Sequence, residues 1–214
     1  MDEINKIPST IPIFPLSNFI IFPNTTVPLN IFEPRYIQMI DDSMKSHRMI
    51  GMIQPKKSGK LKKPDLYEVG CIGKITSFNE TEDGRYLIII NGISRFNVDK
   101  EIETDKLYRV CKVNYQNYAK DLDNKIEEFT HDDLEKIFRD LKSLFEKKGF
   151  MVDWSNLKKQ DFSNTLNTLS MASPFSLEEK QVLLETKDLY TRKLRLEEIL
   201  KTYTLDEFSN KTIQ

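Results

Sequence analysis

I-P-I-F-P-L-S-N-F-I-I-F-P-N-T-T-V-P-L-N-I-F-E-P-R-Y, residues Ile11 to Tyr36, decides how the rest of the chain is read. Six of the nine prolines lie at positions 8, 12, 15, 23, 28 and 34. Proline fixes φ and removes a backbone donor, so the segment runs extended with kinks until Pro34, where a helix can begin. Between the prolines sit Ile13, Phe14, Leu16, Phe19, Ile20, Ile21, Phe22, Val27, Leu29, Ile31 and Phe32. That is too much apolar surface for a loop, so these residues are expected to form short strands buried in a core. Pro15 and Pro23 then mark strand ends or an edge, since proline cannot donate to a ladder.

After this stretch, Pro34 suits the first turn of a helix, and Glu33 sits where the positive end of the helix dipole favours a carboxylate. Tyr36, Ile37, Ile40 and Met44 follow at helical spacing, and the helix is expected to stop near Ser46 to Arg48. Met49, Ile50, Met52 and Ile53 read as a buried strand closing at Gln54-Pro55. Lys56 to Pro64 holds five lysines, a glycine and a proline, the composition of a solvated surface loop. Glu68 to Phe78 is a strand, with Gly70 and Gly73 marking a bulge or a close backbone approach. Asn79 to Gly84 is a polar turn. In Arg85 to Ile90, four consecutive aliphatic residues predict a strand buried on both faces. Asn91-Gly92 is the dipeptide of a two-residue hairpin, with Ile93 to Val98 as the returning strand. Leu107 to Tyr118 is one more strand. Six or seven short strands and one helix point to a small closed or nearly closed β structure.

Beyond Asp121 the apolar period changes from two to 3.6. The chain is therefore read as a β-rich part, residues 1–120, and a helical part, residues 121–214. Leu134, Ile137, Phe138, Leu141, Leu144 and Phe145 form one stripe, stopped by Lys147, Lys148 and Gly149. Trp154 to Met171 holds a second helical region. Ser176 with Glu179 spells a capping box for a helix whose apolar positions are Leu177, Val182, Leu183 and Leu184. Asp188 caps the last helix, with Leu189, Leu196, Ile199 and Leu200 inward.

Composition narrows the function classes. Of 214 residues, 30% are charged, mean hydropathy is −0.49, and no apolar run approaches the roughly 18 to 20 residues of a spanning helix. Residues 1–10, M-D-E-I-N-K-I-P-S-T, carry acids where a signal peptide carries bases, so a cytoplasmic location is expected. The net charge is −1 and evenly spread, with 16 basic against 14 acidic residues up to Tyr118 and 16 against 19 beyond it. That balance speaks against a nucleic-acid footprint. Cys71 and Cys111 are too few for a disulfide framework and are read as buried thiols.

No catalytic constellation stands out. Only Gly59 and Gly73 precede a lysine, followed by Leu61 and Ile75, so the G-x-x-x-x-G-K-[ST] phosphate loop is missing. His47 and His131 are 84 positions apart with no cysteine near either, which disfavours zinc. His131 lies beside Asp132 and Asp133, where helix capping is the ordinary role. No cofactor, metal or enzymatic activity is expected.

Three blocks of sequence carry a family resemblance. P-I-F-P-L, an apolar run closing in F-P, and then V-P-L-N-I-F-E-P-R-Y resemble the start of the Lon amino-terminal domain. Asp83-Gly84-Arg85, leading through Leu87 to Ile90 into Gly92-Ile93-Ser94-Arg95-Phe96, is similar to that family's D-G-R, strand, G-x-x-R-F segment. Ser173 to Glu185 is similar to its helical half. The resemblance implies an α+β fold: a PUA-like pseudo-barrel of about six strands with one helix, followed by a helical bundle. It also implies a stand-alone substrate-recognition module without ATPase or peptidase parts, which binds unfolded or apolar segments of client proteins. An adaptor role beside a protease or chaperone belongs to the same implication, and RNA or small-ligand binding is the rival that PUA-like folds bring. The aromatic and proline excess of the first 36 residues, joined to that role, marks Phe22, Pro23 and Phe32 as a groove, with Arg35 and Arg95 as polar anchors. Hydrophobic core for the first three and structural ion pairs for the two arginines are the competing assignments.

Overall fold

The sequence folds, in a computed structural model, into two compact units, Met1–Asn124 and Lys125–Gln214. The structure describes residues 7–56, 63–122, 134–157 and 159–211, with side chains through 203.

In the first unit the order is β1 (Thr10–Pro15), β2 (Thr26–Ile31), α1 (Pro34–Met44), β3 (Met49–Pro55), β4 (Leu66–Glu80), β5 (Tyr86–Ile102) and β6 (Arg109–Asn114). A 3-10 segment, Gln116–Leu122, follows. The strands lie in the order β2-β5-β4-β3-β1-β6, and β6 pairs with β5 as well as with β1. Five strands thus close a ring, with β2 added along the first half of β5. β1 runs parallel to β3; every other pairing is antiparallel. Inside the ring Ile11, Ile13, Ile53, Ile72, Phe96, Cys111, Val113 and Tyr115 form one core cluster. Gly70 makes room for it, since a Cβ there would lie 2.5 Å from both the Met52 carbonyl oxygen and the Phe96 ring. Both cysteines are buried and neither forms a disulfide.

Helix α1 opens at Pro34 with Glu33 as N-cap residue and buries Tyr36, Met39 and Ile40. Its polar side is tied to β5 and to the connection between β5 and β6. Asp41 accepts from the Tyr86 hydroxyl at 2.9 Å, Asp42 accepts from Lys106 Nζ at 2.6 Å and the Tyr108 hydroxyl at 2.7 Å, and Gln38 accepts from the Leu107 backbone at 2.9 Å.

Three local expectations are corrected in this unit. Residues Phe19 to Phe22 form no strand: they lie in a buried loop between β1 and β2, with Ile20, Ile21 and Phe22 in the core. Asn18 (φ 56°) and Asn24 (φ 60°) take the left-handed conformation and break the extended run. The Thr25 hydroxyl donates to the Phe22 carbonyl at 2.6 Å and accepts from its N–H at 3.1 Å.

Asn91-Gly92 is no hairpin turn but the middle of the seventeen-residue β5. The loop docks there, with Asn24 N–H donating to Gly92 O at 3.0 Å and Gly92 N–H donating to Thr25 O at 2.9 Å. A Cβ on Gly92 would lie 2.0 Å from the Phe22 carbonyl oxygen. The glycine therefore serves a close backbone approach, the other use of a residue without a Cβ. The strand Tyr86 to Ile90 is buried on one face only: Tyr86, Ile88 and Ile90 point inward, whereas Leu87 and Ile89 are exposed. The lysine-rich loop expected at Lys56 to Pro64 falls, for residues 57–62, outside the described residues.

In the second unit, α2 (Glu135–Lys147) is followed by α3 (Trp154–Leu157), α4 (Phe162–Ala172), α5 (Leu177–Glu185) and α6 (Leu189–Lys211). Leu134, Ile137, Phe138, Leu141, Leu144 and Phe145 are all buried, and Gly149 (φ 74°) ends the first helical turn-off. The capping box on α5 is present in both directions, Ser176 Oγ accepting from Glu179 N–H at 3.1 Å and Glu179 accepting from Ser176 N–H at 2.7 Å. Asp188 caps α6 by accepting from Thr191 N–H. Helix α6 packs against α2, α4 and α5. Val182 is not an inward position but exposed, because the buried face of α5 runs through Leu177, Lys180, Gln181, Leu183 and Leu184.

Candidate functional site

The five residues singled out from the sequence are not brought together. Phe22 and Pro23 are buried in the loop that docks on Gly92. Arg95 is 3% exposed and lies over the Tyr118 ring at 4.3 Å, where it holds Asp121 with two prongs. All three are withdrawn from solvent. Phe32, one residue past the end of β2, is 65% exposed, and Arg35 is half-exposed and pairs with Glu33. Among the described residues of the first unit, two surfaces stand out as places for a ligand.

The first is the outer face of β2, β5 and β4. Register places Pro28, Ile89 and Ser77 in one row across the three strands, and Asn30, Leu87 and Asn79 in the next. Leu87 is 45% exposed and Ile89 37%. With Pro28 and Leu29 they line a shallow groove of about 370 Å³. Leu87, Ile89 and Pro28 thus make a small apolar strip rimmed by Asn30, Ser77 and Asn79, beside a proline-bearing edge strand. Phe78, registered with Ile88 on the opposite face, packs edge-on against Tyr86 with ring centroids 4.8 Å apart. Sequence reading passed over this row because four aliphatics in succession were assigned to a strand covered on both sides. Pro28 was the available signal, since it places β2 at a sheet edge where one face of β5 can stay open.

The second is a cleft of about 730 Å³ lined by the ends of β1, β3, β5 and β6 together with Arg35 and Tyr36. Arg109 spans it, donating to Glu101 from Nε at 3.1 Å and Nη2 at 2.7 Å, and to the Pro64 carbonyl at 2.7 Å. Lys63 Nζ lies 2.7 Å from the same Glu101. Desolvation pushes the Glu101 carboxyl up, but hydrogen bonds from Arg109 and Lys63 outweigh it and hold the group below its ordinary value. Desolvation raises the Tyr36 hydroxyl, so it stays protonated and able to donate. None of these residues was marked as a cleft by sequence, because they come from four separated segments.

Burial pushes the Cys111 thiol up to about 11, which leaves it protonated and inert at neutral pH. No group of three His, Cys, Asp or Glu side chains that could hold a metal ion occurs among the described residues; His131 lies outside them. No helix among the described residues is long and apolar enough to cross a membrane.

Comparison with known proteins follows the same outline. The family model for the ATP-dependent protease La (LON) substrate-binding domain matches residues 10–202. A Lon protease of Desulfosudis oleivorans is 28% identical over 209 residues, covering 92% of this chain and 24% of its own length. A Lon protease of Dictyoglomus thermophilum is 24% identical over 200 residues, covering 90% and 24%. The chain thus spans about a quarter of the length of these relatives. Among solved structures, the Lon N-terminal domain protein from Xanthomonas campestris superposes with a TM-score of 0.63 at 20% identity, covering 91% of this chain and 98% of that one. The N-terminal domain of the Mycobacterium avium complex Lon protease gives 0.59 at 16% identity, covering 90% and 98%. At these identities the structures speak for the fold.

Proposed function

The chain belongs to the family of Lon substrate-binding domains, and from that premise we propose that it is a non-catalytic module that captures exposed apolar segments of other proteins. The exposed row of Leu87 and Ile89 beside Pro28 carries this reading. An extended apolar segment laid across it would remove both side chains from water, a gain of roughly 25 cal/mol per Å². Phe32 belongs to the same proposed surface as an exposed aromatic anchor, while Arg35 lines the cleft beside α1 and is proposed as a polar anchor there. Phe22, Pro23 and Arg95 take part only by holding the framework beneath it. Because the contact is mainly apolar and shallow, recognition is loose, which suits many clients rather than one. An adaptor role in proteolysis or quality control follows from the same premise. RNA binding is disfavoured by the even charge balance.

The test is a titration of a short extended apolar peptide into the wild type and into Leu87→Ser/Ile89→Ser, with folding checked by circular dichroism. The variant should stay folded, since both side chains already meet solvent, and should bind roughly tenfold or more weakly. Unchanged binding, or a higher affinity of the wild type for RNA than for peptide, overturns the reading.

A further inference from the structure

The cleft beside α1 contains two donors that the fold leaves uncommitted. Tyr36 is 5% exposed and packs edge-on against Phe14 with ring centroids 4.4 Å apart. Its hydroxyl makes no hydrogen bond among the described residues, yet the residue lines the cleft. The hydroxyl oxygen itself reaches solvent in the cleft, where it can donate to a ligand. Over the same ring, 4.4 Å from its centroid, lies the Arg35 guanidinium. Arg35 engages one oxygen of Glu33 through Nε at 2.9 Å and Nη2 at 2.8 Å, and its Nη1 has no partner among the described residues. That pair is surface-exposed and therefore weak, so it can be shared with a second anion.

The other cations of the cleft are already engaged, Arg109 and Lys63 with Glu101 and Lys106 with Asp42. What remains is one fork edge of an arginine beside one hydroxyl, with Pro15, Pro55 and Leu107 as apolar walls. Glu101 and Glu103 line the same space and repel a dianion such as phosphate, whereas a carboxylate brings a single charge and planar oxygens that suit a guanidinium edge. Its volume falls within the ~300–1,000 Å³ common for sites that enclose small groups. The geometry points to a carboxylate subsite in which the Tyr36 hydroxyl and Arg35 Nη1 both donate to a carboxylate carried by an apolar peptide. This rests on the reading of the chain as a peptide-binding module and gives it a polar register point that the apolar row lacks. The carboxylate can come from a chain terminus or from an acidic side chain.

Three forms of one fluorescent apolar peptide separate the cases: a free carboxy-terminus, a carboxy-terminal amide, and the amide with one internal glutamate. They are titrated into the wild type, Tyr36→Phe, Arg35→Gln and Leu87→Ser/Ile89→Ser. In the wild type the free acid should bind roughly tenfold more tightly than the amide, the worth of hydrogen bonds to a charged group. Tyr36→Phe keeps the ring packing and should erase that preference, and Arg35→Gln, an exposed change, should do the same. The double variant should weaken every peptide while leaving the ratio between acid and amide in place. If the internal glutamate restores tight binding, the subsite takes side-chain carboxylates; if it does not, it takes chain termini, and either result supports the subsite. Equal binding of acid and amide to the wild type, or a preference that survives both single substitutions, overturns the subsite even if binding depends on Leu87 and Ile89. Failure of every form to bind overturns the subsite together with the reading on which it rests.

Discussion

Arg95 and Asp121 meet through two parallel hydrogen bonds, Nη2 to Oδ1 at 2.7 Å and Nε to Oδ2 at 2.9 Å, and Asp121 Oδ2 also accepts from the Arg95 backbone N–H at 2.9 Å. Both side chains are withdrawn from solvent, at 3% and 10% exposure. The pair pins the 3-10 segment Gln116–Leu122 to β5, the strand whose pairing with β6 closes the ring.

Removing one member of such a pair leaves the other charge desolvated, which typically costs about 3–5 kcal/mol. Asp121→Ala is expected to lose stability in that range in urea titration. Arg95→Lys should recover little, because an ammonium cannot supply the two-pronged fork. A loss below about 1 kcal/mol, the level of an exposed ion pair, would show that the pair does not hold the segment.

Gly92→Ala tests the docking of the loop. The new Cβ would stand 2.0 Å from a carbonyl oxygen and 2.8 Å from its carbon, so backbone must move, and overpacking of this kind costs about 1–3 kcal/mol or more. Gly84→Ala is the control. At φ 76° with nothing within 4 Å, it should cost only the left-handed penalty of about 1–2 kcal/mol. Thermal denaturation should therefore rank Gly92→Ala as the more damaging, and the reverse ranking would contradict the close approach.

Stability should also depend on pH through Asp42. Hydrogen bonds from Lys106 and then Tyr108 lower its carboxyl from the ordinary 3.8. A depressed folded value means that the contribution is complete above the unfolded value and disappears as pH falls through the folded one. Asp42→Asn should thus be less stable than wild type at neutral pH, by about 1 kcal/mol or less since the cluster is partly exposed. The difference should shrink only below about pH 4. A gap that persists unchanged in strong acid would show that charge is not its source.

How much of this was legible in the sequence varies with how local the determinant is. Pro34 placed the start of α1, and Ser176 with Glu179 placed the start of α5, because caps are fixed by residues within one turn. Asn91-Gly92 misled because the same glycine property serves two ends: a left-handed turn, or a backbone approach from a loop about seventy residues away. Only the partner, Phe22, distinguishes them. Leu87 and Ile89 were assigned to the interior because a run of aliphatics does not say whether a second layer covers it. Of the site residues, Phe32 and Arg35 are at the surface, whereas Arg95 could be placed only once its partner, Asp121, was known.

The strand order also has a temporal consequence. Thr10 pairs with Lys112 and Ile13 with Arg109, so β1 waits for β6, which leaves the ribosome only after the four strands between them. Until Asn114 has emerged, β1 and the far half of β5 both present open edges of the kind that recruit other chains. Closure over such sequence distance is intrinsically slow. During that interval the nascent chain shows the apolar character that its own finished surface is proposed to recognise.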